Sequence, residues 1–240
     1  MGKIMTDDVE MKLFDNPEIE ALITKLFERL LDESDRGAIL IGTAQVEATL
    51  ESLINAVIPT TISNKKRKTI LNYPGVLSSF ASKIEMAFVF RVIPKILYDA
   101  LHSLREIRNA AAHSSEKFDL KDKSLDVDNV LCLGPATQMH IHKMAITSLL
   151  KSKSQIILDT FKSFQDTDPD FKNYRFPATN IEEACEFIIK NSEYVRMIQV
   201  QLPKWVLIIG ISFLCGMLVY YKNRIAGVLG PDKTIYSLSK

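Results

Sequence analysis

Residues 205–221 are seventeen consecutive side chains that are all apolar or small, from Trp205 to Tyr221. No fold leaves such a run in water. As a helix it reaches the lower length limit for crossing a bilayer. Trp205 at one edge and Tyr220 and Tyr221 at the other match an interfacial aromatic belt. Ser212 and Gly216 supply a small-residue face for helix pairing. Lys204 lies on one side, and Lys222 and Arg224 on the other, so charge does not orient the segment. The expectation is a transmembrane helix. The competing reading is a helix buried in a protein core or in an oligomer interface.

The remainder of the chain carries helical periodicity. Apolar residues recur three and four apart over 17–33 (Ile19, Leu22, Ile23, Leu26, Leu30), 35–58, 79–93, 95–113 and 140–164. Asn16-Pro17, Ser34 and the Asn180/Glu183 pair read as starts, and Pro59 and Pro94 as stops. The nine glycines and nine prolines among 240 residues are too few for an all-β chain built on tight turns. The fold class expected is therefore all-α, an antiparallel helical bundle followed by a C-terminal hydrophobic helix. Its divisions are a helical domain over 1–165, a connecting helix over 180–202, the hydrophobic helix over 203–222 and a polar tail over 223–240. The stretches 59–78, 114–139 and 165–179 read as connectors. In the first, Lys65-Lys66-Arg67-Lys68 reads either as a solvated turn or as a patch for phosphate.

Composition excludes several functions. The net charge of +1 gives no global basic field, so any contact with a polynucleotide must be local. Cys132, Cys185 and Cys215 are scattered and odd in number, which suits neither a disulfide framework nor a metal site and points to a reducing compartment. The amino terminus is polar and acidic, unlike a signal peptide. Gly2 with Thr6 fits the short myristoylation pattern, which arises readily by chance. His140 and His142 are two apart and cannot meet on one helix face. No Gly-rich phosphate loop and no nucleophile elbow occurs. No cofactor and no metal are expected.

Chemistry concentrates in Arg108-Asn109-Ala110-Ala111-Ala112-His113. A guanidinium, an amide and an imidazole are groups that can grip and cleave an RNA phosphodiester without metal. On the 95–113 helix, His102, Glu106, Asn109 and His113 share one stripe, with Arg105 at its border. Arg108 falls nearer the apolar side, beside Leu101 and Leu104. A charge there needs a partner, and Glu47 on the preceding long helix is the one expected. The long arm of Arg108 can still swing its fork to the Asn109/His113 edge.

Asp35-Arg36-Gly37-Ala38-Ile39-Leu40, Glu47 with Leu50, Leu77 to Ile84 including Lys83, and Leu104 to Ser114 with Phe118 together resemble the mannitol-repressor (MltR-like) family, over roughly residues 17–133. The string RNAAAH also resembles the R-N-x-x-x-H motif of the HEPN superfamily of helical domains. That second resemblance implies a bundle that dimerises, and in many members a metal-independent ribonuclease. Carried over by position, His113 would exchange a proton with the ribose 2′-hydroxyl or the leaving oxygen. Arg108 would neutralise the phosphorane, and Asn109 would orient the imidazole or hold a phosphate oxygen. Glu47, Arg105, His102 and Lys83 would support them. The first resemblance implies instead a regulator. No helix-turn-helix recognition helix is present, so sequence-specific DNA contact is not expected. The partners expected are RNA, a second copy of the chain, and a membrane through residues 205–221. The alternative is a non-catalytic regulator that works through protein partners.

Overall fold

A computed structural model describes residues 17–167 and 176–229. Gly2 and Thr6, the centre of the 165–179 connector and the last part of the polar tail lie outside the described residues. The described residues form helices and turns, with no strand.

The expected helices are present, with adjusted ends. Helix α1 spans Pro17–Leu31 and α2 spans Asp35–Val57. The Ser34 side chain caps α2 by accepting from the Gly37 N–H. Helix α3, Asn64–Leu71, corrects the expectation of a plain loop around the basic run. Ser63 caps it, and Arg67 holds it against the end of α2. The Arg67 guanidinium donates to the carbonyls of Asn55, Ile58, Pro59 and Ile62. A basic stretch of low apolar content is helical here because one of its charges caps the preceding helix.

Helix α4 (Phe80–Val89) opens with a capping box between Ser79 and Ser82. Helix α5 runs Lys95–His113 and buries Leu97, Ala100, Leu101, Leu104, Ile107 and Ala111, the face its periodicity predicts. The connector after it is not featureless. It holds a short 3₁₀ turn, Leu120–Lys123, and helix α6, Ser124–Val130. Helix α7, Pro135–Thr167, begins five residues earlier than its apolar spacing predicts. It buries Thr137, Ile141, Ala145 and Leu149, whereas Ile146, expected inside, is exposed.

Two helices follow instead of a connecting helix and a separate hydrophobic one. Helix α8 is Ile181–Lys190. Asn180 accepts from the Glu183 N–H, while Glu183 reaches past it to the Thr179 N–H and hydroxyl. Those Thr179 bonds hold its carboxyl below the usual range. Helix α9, Ser192–Leu229, runs unbroken through Pro203.

Helix α9 is long and apolar enough to cross a membrane, and in this structure it is the centre of the bundle. Residues 205–219 are all buried, with α1, α2 and α7 packed against it. Gly42 lets α2 approach so closely that a Cβ there would strike the Ile211 side chain, and Gly210 gives the same clearance to Leu131. Phe27 of α1 meets Trp205 edge-on, with ring centroids 4.9 Å apart. The Lys204 ammonium donates to the carbonyls of Leu31 and Glu33, capping the end of α1. Lys222 and Asn223 reach Glu18 at its start. The one polar side chain inside the run, Ser212, donates to the Ile208 carbonyl in its own helix. The hydrophobic helix and the preceding domain therefore share one continuous core.

Candidate functional site

The Arg-Asn-His string occupies the last turns of α5, and the apolar face of that helix determines which of its groups reach water. Ile107 and Ala111 face the core, so Arg108, Ala112 and His113 are exposed and Asn109 is half-buried. This corrects the expected burial of Arg108. The Glu47 pairing does not form either. Arg108 Nη1 donates to Asn109 Oδ1 at 3.1 Å, and its guanidinium has no carboxylate partner among the described residues. That bond draws the guanidinium toward the edge where His113 lies one turn beyond Asn109. The His113 ring has no hydrogen bond among the described residues. Arg108 and His113 are thus open to solvent, and Asn109 partly so.

Glu47 is engaged elsewhere, for a reason of charge. Lys83 on α4 is buried, and its ammonium lies 2.8 Å from carboxylate oxygens of both Glu47 and Glu51, one turn apart on α2. Burial pushes the Lys83 pKa down, and the two carboxylates outweigh it, leaving the pKa raised. The buried cation claims both carboxylates, so Glu47 is engaged away from Arg108.

His102 faces α4 rather than the open edge. His102 Nε2 lies 3.1 Å from Glu85 Oε1, close enough for an ion pair when the ring is protonated but without hydrogen-bond geometry. The same carboxylate accepts from the Tyr98 hydroxyl, whose ring packs between Phe88 and His102. Arg105 is half-buried and its Nε finds no partner among the described residues. The structure therefore joins Arg108 to Asn109, with exposed His113 one turn past Asn109, and engages His102, Glu47 and Lys83 elsewhere.

Two residues prominent in this geometry did not stand out as candidates in the sequence. The Arg36 guanidinium, at the start of α2, donates to the carbonyls of Ser114 and Glu116, just past the end of α5. The neighbouring Asp35 carboxylate accepts from the Leu120 N–H at 2.9 Å. Together they pin both ends of the loop that follows His113, over an open groove lined by Asp35, Arg36 and residues 115–119. The only signal in the sequence was the Asp-Arg-Gly string itself, and nothing local says that its partners lie some eighty residues away. No group of His, Cys, Asp and Glu among the described residues could hold a metal. His142 is paired instead with Asp128 at 2.9 Å.

Compared with known protein families, curated proteins and solved structures, the chain matches none. What the fold and site define is a class: a helical bundle around an apolar helix, with an exposed arginine–asparagine–histidine cluster at the end of one helix.

Proposed function

We propose that this chain is a HEPN/MltR-like RNA-directed protein that binds a phosphodiester at Arg108, Asn109 and His113, and cleaves it without metal when two copies meet. One observation carries this reading: an exposed guanidinium with no carboxylate on it among the described residues, bonded to the Asn109 amide one turn before an exposed imidazole. Arg108 supplies a bidentate fork for phosphate oxygens. One His113, as the neutral base, takes the proton of a ribose 2′-hydroxyl. The freed oxygen attacks phosphorus, the bond to the 5′-oxygen breaks, and that oxygen takes a proton from the protonated His113 of the second copy. The products are a 2′,3′-cyclic phosphate and a 5′-hydroxyl. Arg108 offsets the charge that builds on the phosphorane.

The test uses the full chain, because the centre of the core lies beyond residue 200. Single-stranded RNA is incubated with the protein in a metal chelator, beside His113→Ala and Arg108→Ala. Cyclic-phosphate ends are expected from the parent, and a drop of at least about a hundredfold in each variant. Equal inertness of all three proteins rejects cleavage, and cleavage undiminished in both variants rejects the site. A bell-shaped pH profile is expected, since base and acid are the same residue in opposite protonation states.

A second reading has its own observation. Glu106 and Glu116, both exposed, flank the cluster and weaken a non-specific grip on a polyanion. A non-catalytic regulator acting through protein partners fits that charge pattern. RNA binding with Kd unaffected by Arg108→Ala would favour it.

As for α9, we infer that it works as the central helix of the bundle and not as an anchor. Fifteen buried residues of that helix, with close approaches at Gly42 and Gly210, support this. Release of the full chain from membranes by alkaline carbonate is expected. Retention with the lipid would restore the anchor.

A further inference from the structure

From Ser52 to Ile84 the chain has no aspartate or glutamate, over 33 residues, although Asp and Glu number 29 in the whole chain. The bases in that stretch are Lys65, Lys66, Arg67, Lys68 and Lys83. Two of them are used inside the protein: Lys83 between Glu47 and Glu51, and Arg67 on the carbonyls that end α2. Lys65, Lys66 and Lys68 are exposed and have no ion pair among the described residues.

The loop after α3 adds apolar groups to this charge. Tyr73 is 91% exposed and Val76 is 77% exposed. They are held out by a tight backbone. The Gly75 N–H donates to the Asn72 carbonyl and the Leu77 N–H to the Ile70 carbonyl, at 2.6 and 3.0 Å. A Cβ on Gly75 would collide with the carbonyls of Thr69, Ile70 and Asn72, so only glycine allows the turn to close. The Arg67 anchor and this turn fix three lysines, a tyrosine and a valine on one rigid tip.

Helix α9 ends on the same side of the bundle. Gly42 faces Ile211 and Thr49 faces Cys215, so α2 and α9 run in the same direction. The exposed Arg224 therefore lies toward the end of the bundle that carries α3, where Lys222 is paired with Glu18.

We propose that this tip, α3 with the loop 72–76, docks the protein on an anionic membrane surface. Lysines near such a surface gain from its negative potential. A tyrosine and a valine at the tip suit the headgroup boundary, where apolar area is removed from water. Val76 has no counterpart role in gripping phosphates of a nucleic acid, which is what favours a bilayer as the partner. The tip and the Arg108 cluster lie at opposite ends of α2, whose 23 residues span roughly 34 Å.

Flotation of the full chain with vesicles of phosphatidylcholine, and of equimolar phosphatidylcholine and phosphatidylglycerol, tests it. Binding to the anionic vesicles alone is expected, lost at high salt. Each of Lys65→Gln, Lys66→Gln and Lys68→Gln should lower partitioning about fivefold, and the triple variant about a hundredfold. Tyr73→Ser with Val76→Ser should lower it several-fold and keep the salt dependence. All five side chains are exposed, so the variants should melt with the parent. Equal binding to both vesicle types, or a triple variant that binds like the parent, overturns the proposal. So does single-stranded RNA captured by these lysines without vesicle binding. Arg108→Ala and His113→Ala should float with the parent, which separates failure here from failure of the RNA site.

Discussion

Lys83 shows how one side chain redirects several others. Its ammonium sits between two carboxylates that are each about a third exposed. Lys83→Met would leave those carboxylates facing each other, partly rehydrated, and should cost about 2 kcal/mol in urea unfolding. Glu47→Gln keeps a hydrogen-bond acceptor and should cost less, about 1 kcal/mol. The pH dependence has a definite sign. The pKa of Lys83 is raised, so its contribution is complete at neutral pH and is lost as pH climbs through that elevated value. Urea midpoints on either side of the ordinary lysine range should therefore fall more for the parent than for Lys83→Met. An equal fall would mean that the buried ammonium does not stabilise the fold. The same pairing explains why Glu47 does not meet Arg108. The apolar stripe of α5 was legible residue by residue, but the choice of Glu47's partner depends on which cation the fold buries near it.

At the scale of elements, the arginines that look alike in sequence do different work. Arg67 and Arg36 each close a helix end with several carbonyls. Arg67→Met should lower stability by about 1–2 kcal/mol, because three of the freed carbonyls are partly buried. Arg36→Met should do something more specific. It frees the Ser114 and Glu116 carbonyls, so amide exchange should speed up over residues 114–120 and leave α2 and α5 unchanged. If the RNA reading holds, that loosening should raise KM more than it lowers kcat, since Arg36 touches the loop and not the reacting groups. Unchanged exchange in this loop would remove Arg36 from any role at the site. Caps such as Ser34 and Asn180 were readable because they act within a turn of their own position. Helix α3 was not, because its short basic sequence has little apolar face and owes its place to the end of α2.

For the whole molecule, the fate of α9 decides most. Burial pushes the Cys215 thiol up to about 12, against a small opposing effect of the Thr49 hydroxyl 3.8 Å away. Cys132 is exposed. Iodoacetamide on the folded, detergent-free chain should therefore label Cys132 readily and Cys215 only after denaturation; the two labelling at similar rates would contradict a sealed core. Ile211→Ala should cost about 2–5 kcal/mol, as a large-to-small change at the centre of a packed bundle does. A chain cut at residue 200 should lose its cooperative melt. In a true membrane anchor the same change and the same cut would leave the rest of the bundle folded.

The sequence alone determined that this chain is helical, where most helices lie, which face of α5 is apolar, and that residues 205–221 must be hidden from water. Those are local matters: side chains three and four apart, and caps within one turn, act on the nearest stretch of backbone. Tertiary structure alone decided that α1, α2 and α7 do the hiding, that Lys83 takes Glu47 and Glu51, and that Arg36 and Asp35 hold the loop after His113. An apolar run carries the same drive out of water toward lipid as toward leucine, and a charge accepts any opposite charge within reach. Only the arrangement of the other helices in space breaks that degeneracy.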